Sequence, residues 1–180
     1  MKPHMQYLGY VLRHKWFVFH AGLKTGAPLW RLFIHDASKF SRAEWGPYVR
    51  RFYGGRHDEM DKRADPEEFQ RAWTHHWHHN AHHPEHWVTA EGWRMTMPEP
   101  LVREMVADWF GAGRAKTGSW DMQEWYAANR ERLPMSPGTL VLADCLVAEA
   151  MRAFGHATVL PWPPVPTTTH QQHSGKPSAS

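Results

Sequence analysis

The chain has 180 residues, enough for one domain with a sizeable buried core. Its formal charge is only +3 with histidine neutral, which makes nucleic acid a poor candidate partner but suits a small anionic ligand. The lone cysteine, Cys145, excludes an intramolecular disulfide and a cysteine-ligated zinc site, and the absence of any signal-like or membrane-length apolar run leads us to expect a cytoplasmic protein that does not cross a membrane. In chain order, residues 5–22 set Tyr7, Leu8, Val11, Leu12, Phe17 and Val18 near helical spacing, with His14 on the same face and Gly22 and Gly26 as stop signals. Pro28 opens a second helix, expected to run through Asp36. Ser41 and Glu44 form a capping box for a third, ending at Gly54-Gly55. Residues 56–65 are charged and read as a loop. Asp65-Pro66-Glu67-Glu68 is a strong start signal for a helix to about Asn80, and Pro84 marks a break. Pro98-Glu99-Pro100 opens the next helix, residues 119–132 form another, and Ser136-Pro137 caps a last one reaching about Gly155. No alternating strand pattern exceeds four residues, so the expected class is all-α, with six to seven helices. The domain is expected over 1–157, followed by a disordered Pro/Thr/Ser-rich tail over 158–180.

The chemistry centres on His35-Asp36-Ala37-Ser38-Lys39-Phe40, which follows the apolar run Leu29–Ile34. Imidazole nitrogen and carboxylate oxygen both bind divalent transition metals, and an ammonium three residues beyond the Asp suits an anionic substrate held there. This segment resembles the central His-Asp-x-Gly-Lys motif of the HD-domain metal-dependent phosphohydrolases, with Ser38 where glycine is usual. That resemblance implies an HD-like helical bundle and asks for an earlier His and a late Asp on separate helices. His14 stands 21 residues before His35, and Asp108 stands 72 after Asp36. The resemblance therefore implies that His14, His35, Asp36 and Asp108 bind one divalent ion, with Lys39 neutralising phosphate charge.

A second cluster spans Thr74 to Trp87 and holds seven histidines within twelve residues. In a chain with 15 His and 11 Trp, this density raises the expectation of metal binding. His76 and His83 are seven apart and share a face if the helix continues, but so do His75 and His82, so the ligands among His75, His76, His79, His82 and His83 stay open. HD-domain enzymes with two metals add histidines in this interval. We take His76 and His83 as candidates for a second site, with His82 as an alternative ligand or acid/base group. His-Asp-x-Ser-Lys-Phe, Trp-x-His-His, Asn80-x-His82-His83 with Trp87 four later, and Glu104-Met105-x-x-Asp108-Trp109 together are similar to an uncharacterised bacterial and phage family of unknown function, over about residues 7–137.

The expected function is a metal-dependent phosphohydrolase acting on a nucleotide or other small phosphate ester. It would use one or two divalent ions, with Mn, Fe, Mg, Ni and Zn not separable from sequence. Two other readings remain: an HD-type di-iron oxygenase, and a non-enzymatic His-rich protein that binds metals or a partner. Glu44 and Glu104 are weaker candidates for orienting a ligand imidazole, and capping or surface exposure explains each equally well from sequence. Oligomeric state stays open.

Overall fold

The structure is a computed structural model, and it describes residues 2–54 and 65–156. Among the described residues there are seven α-helices: α1 (Pro3–Thr25), α2 (Leu29–Ile34), α3 (Arg42–Tyr53), α4 (Pro66–His79), α5 (Glu99–Thr117), α6 (Gln123–Asn129) and α7 (Pro137–Ala153). Two single 3-10 turns, Ala37–Phe40 and Pro84–Trp87, carry the chain between them. Among the described residues there is no strand, only an isolated antiparallel bridge between Val88 and Arg94. The all-α expectation therefore holds. The loop expected over residues 56–65 falls almost wholly outside the described residues, and so does the tail beyond 157.

Local signals explain most helix ends. Pro3 opens α1, which runs through Gly22 and stops at Gly26, where a left-handed backbone (φ 69°) lets its N–H reach the Gly22 carbonyl. Gly22 has a different role: a side chain there would collide with Leu32, so its absence lets α2 fold back against α1. Asp65 caps α4 by accepting from the Glu67 N–H at 2.9 Å, and the Ser136 hydroxyl accepts from the Thr139 N–H to cap α7. The Ser41/Glu44 capping box does not form. Ser41 makes no side-chain cap bond, and Glu44 is fully buried, turned towards α4. The helix expected over 119–132 contracts to α6, because Ser119 and Asp121 bond their own following backbone N–H groups.

The antiparallel pair α1 and α5 is the spine. At their crossing, a Cβ on Gly111 would stand 2.7 Å from the Val18 backbone nitrogen and 2.9 Å from its Cα, so only glycine permits this approach. α7 closes one side of the spine, building a core around Val18, Val102, Val106, Phe110, Leu146 and Met151. On the other side α3 and α4 pack Tyr48, Val49 and Ala72 against Tyr7 and Val11 of α1. His14 sits on α1 between Val11 of the second cluster and Val18 of the first, about one turn from each. The polar cluster described next fills the junction between the two cores.

Candidate metal centre

Four elements converge on Asp36. Helix α2 ends at Ile34, two residues earlier than the expected limit, and His35 and Asp36 occupy the centre of a tight turn with backbone angles near those of a type II turn. Asp36 takes φ 55°, the only positive φ at a non-glycine residue among those described. L-residues adopt this region at a cost of about 1–2 kcal/mol, and such strain clusters at functional sites. The Lys15 ammonium donates to the His35 carbonyl and so ties the turn to α1. The result points His35 and Asp36 into the interior, each about 1% exposed.

Around Asp36 Oδ2 stand His14 Nε2 at 3.1 Å and His35 Nε2 at 3.3 Å. The same two nitrogens lie 3.2 and 3.3 Å from Asp108 Oδ1 of α5. Donor atoms that share one ion at ~2.1 Å are separated by about 3.0–3.4 Å, so this spacing matches a ligand shell. Asp36 Oδ1 faces the other way, 3.4 Å from His76 Nε2 and 3.6 Å from His82 Nε2. His83 Nε2 lies 3.0 Å from His76 Nε2. His14, His35, Asp36 and Asp108 form one group able to hold an ion, and Asp36, His76 and His83 form a second. His82 belongs with His35 and Glu104 in one further group and with His83 and Asp108 in another. Asp36 thus presents one oxygen to each side, as a bridging carboxylate does.

The imidazole orientations are set from behind. His35 Nδ1 lies 3.0 Å from Glu104 Oε1, and His82 Nδ1 lies 3.3 Å from the same oxygen. Arg31 donates to the other Glu104 oxygen. Likewise Glu44 accepts from His76 Nδ1 and His75 Nδ1, both at 2.8 Å. A carboxylate on Nδ1 fixes the tautomer and leaves Nε2 as the lone-pair donor. His35 Nε2, His82 Nε2 and Asp36 Oδ1 are buried with no hydrogen-bond partner. Buried polar atoms are rarely left unpaired; His35 Nε2 lies on the Oδ2 side of Asp36, and His82 Nε2 lies beside Oδ1. Asn80 ends α4 and donates to the His76 carbonyl at 2.7 Å and to Ser38 Oγ at 2.6 Å. The turn it makes brings His82 and His83 back beside His76.

The electrostatics match a site that compensates its own charge. Burial opposes ionisation of Asp36 and Asp108, but His35 and Lys39 beside Asp36, and His14 and His35 beside Asp108, hold both carboxyls well below the ordinary range. His35 is pushed up: burial disfavours its charge, and Asp36, Asp108 and Glu104 outweigh that. Burial, reinforced by the charge of His35, holds His82 down. Burial, then His82, holds His83 well down. Lys39 donates to Asp36 Oδ2 and stays protonated, because Asp36 and Asp108 offset its burial.

A cavity of about 540 Å³ lies against this cluster. Lys39 lines it, and so does Trp73, whose ring packs 5.6 Å from His76 and 5.2 Å from His83. Tyr7, Tyr48 and Phe69 form aromatic walls, while Arg13 and Lys116 are exposed at its edge. The Tyr7 and Tyr48 hydroxyls are buried and have no partner. A second cavity, about 460 Å³, meets the opposite side of the cluster through His35, His82 and Glu104.

All eight residues expected from sequence, Lys39, His82, His14, His35, Asp36, His76, His83 and Asp108, are therefore gathered in one place. His78 and His79 are exposed and His75 is only half-buried. Sequence reasoning under-weighted Glu44 and Glu104, left the break at Asn80 as one of two alternatives, and did not single out the cavity tyrosines or Trp73. Tyr7 falls on the inward face of its helix, so periodicity marks it as core without marking its hydroxyl, and Tyr48 is buried likewise on α3.

Fold and cluster together define an all-α protein whose interior holds imidazoles and carboxylates disposed to bind a metal ion. The chain belongs to the family of unknown function DUF5662, whose model matches residues 3–148. No curated protein and no solved structure matches it significantly.

Proposed function

We propose that the protein is a metal-dependent phosphohydrolase acting on a nucleotide or other small phosphate ester. The observation that carries this reading is the pairing of a ligand-spaced His/Asp cluster with an adjoining cavity that is both aromatic and cationic. His14, His35, Asp36 and Asp108 would hold one ion, and His76, His83 and the second oxygen of Asp36 another. The chemistry an ion supplies there is Lewis acidity towards a phosphoryl oxygen and a lower pKa for nearby water. Lys39 stays charged beside the cluster and offsets charge developing on the phosphoryl group. Arg13 and Lys116 attract the anion to the cavity edge. Tyr7, Tyr48, Phe69 and Trp73 offer ring surface for a planar group. His82, its pKa held down by burial, takes a proton from the attacking water and returns it to the leaving oxygen as the bond from phosphorus to that oxygen breaks.

The divergent oxygens of Asp36, which favour two ions over one, also support a second reading as a di-iron oxygenase. The experiment that separates them is elemental analysis of anaerobically purified protein, with a Mössbauer spectrum and a hydrolysis panel of nucleoside mono- and triphosphates. Phosphate release that disappears in Asp36→Ala and falls in Lys39→Ala supports the hydrolase. A mixed-valent iron spectrum without phosphate release replaces it with the oxygenase. Several weakly bound ions per chain, unaffected by Asp36→Ala, would favour a His-rich binding protein.

A further inference from the structure

Helix α1 buries one face in the two cores, and its opposite face is apolar too. Met5, Gly9, Leu12, Trp16, Phe19 and Leu23 recur at spacings of 4, 3, 4, 3 and 4 residues. This is a 3.5-residue repeat, the seam of a helix that packs along another helix. Met5, Leu12, Trp16 and Leu23 are each more than half exposed, and the α1 cations Arg13 and Lys24 lie off the seam, on the flank beyond it. Phe19 leans on Phe33 of α2 at 5.5 Å, and α2 extends the surface with Leu29, Trp30, Phe33 and Ile34, all more than half exposed.

We propose that this face is the interface of a homodimer, formed by two copies of α1 packed antiparallel about a two-fold axis at the level of residue 14. That register sets Met5 against Leu23, Leu12 against Trp16 and Gly9 against Phe19 of the other copy. Gly9 then leaves room for the opposing Phe19, while Met5 meets Leu23 and Leu12 meets Trp16 as apolar pairs along the seam. Gly9 is otherwise unexplained. A glycine weakens a helix interior relative to alanine, and a Cβ at this position would meet nothing within 4 Å of its own chain. An opposing Phe19 gives the missing side chain a purpose. The two-fold also completes the surface: α2 covers only the C-terminal half of α1, and the partner's α2 falls beside the uncovered N-terminal half. Eight side chains of this face are more than half exposed. At roughly 100 Å² each, they offer about 800 Å² per copy, the share of a standard specific interface and more than monomers usually leave bare. Arg13, His20 and Lys24 form the solvated rim.

The test is sedimentation equilibrium of the full chain, with circular dichroism to show that each variant is folded. The expected mass is twice the chain mass of 21.0 kDa. L12E or W16K alone should weaken association by ~30-fold or more, the effect of losing a central interface residue. The double variant L12E/W16K should associate again, because positions 12 and 16 of opposite copies face each other. G9F should dissociate the dimer while preserving helicity. A wild-type monomer in the micromolar range, whether alone or recovered on phosphatidylglycerol vesicles, overturns the proposal. A dimer whose mass is unmoved by W16K or G9F overturns it as well, and a folded double variant that stays monomeric overturns the antiparallel register.

Discussion

Replacing Glu104 by glutamine removes one negative charge and changes almost no volume. The wild-type carboxylate is buried and holds His35 Nδ1 at 3.0 Å, His82 Nδ1 at 3.3 Å and the Arg31 guanidinium. Burial alone would raise its pKa, yet the hydrogen bonds from His35 and His82 bring it down from 4.5 to about 2. That displacement corresponds to about 3 kcal/mol of stability. The folded-state pKa is the depressed one, so this contribution is fully present above pH ~4.5 and is lost as pH falls towards ~2. At neutral pH, Glu104→Gln should therefore cost about 2–4 kcal/mol, or roughly 5–12 °C in melting temperature for a chain of this size. The gap between variant and wild type should narrow as pH drops below ~4.5. Metal affinity should fall ~10–100-fold, because the two imidazoles lose the partner that fixes their tautomers. Thermal melts across pH and calorimetric titration with Mn²⁺ or Zn²⁺ read both effects. Unchanged melting and unchanged affinity at pH ~7 would refute the claim that Glu104 organises the cluster.

Asp36→Ala should abolish tight metal binding while circular dichroism stays helical, and unchanged metal stoichiometry would remove Asp36 from the ligand set. His76→Ala and His83→Ala should each lose bound metal steeply, whereas the exposed His78→Ala should not; a uniform shallow loss across the histidines would favour a buffering tract. Gly111→Ala, which forces a methyl against the Val18 backbone, should cost about 1–3 kcal/mol by overpacking, read by urea unfolding. Truncation after Ala157 should leave the melting temperature unchanged, and a fall of many degrees would show that the tail docks on the body.

Helix-level organisation was legible in the sequence because its signals are local. Pro66 after Asp65, Pro137 after Ser136 and Gly26 after Thr25 act within one turn of chain, so the helices they bound appear where expected. The ligand order was legible too, since His35-Asp36 is contiguous and His14 and Asp108 lie on amphipathic helices that had to turn some face inward. The choice among seven histidines was not, because their spacing permits two registers and the deciding event is a tertiary one. Asn80 stops α4 by bonding the His76 carbonyl and Ser38, and only then do His82 and His83 fold back beside His76. Glu44 shows the same limit from the other side. Three residues after Ser41 it satisfies the local capping pattern, yet two imidazoles from α4 bind it more strongly than a backbone N–H at a solvated helix end would. A carboxylate's local options can be read from its neighbours in sequence. Which option it takes depends on the charge that the fold delivers to it from 31 and 32 residues away.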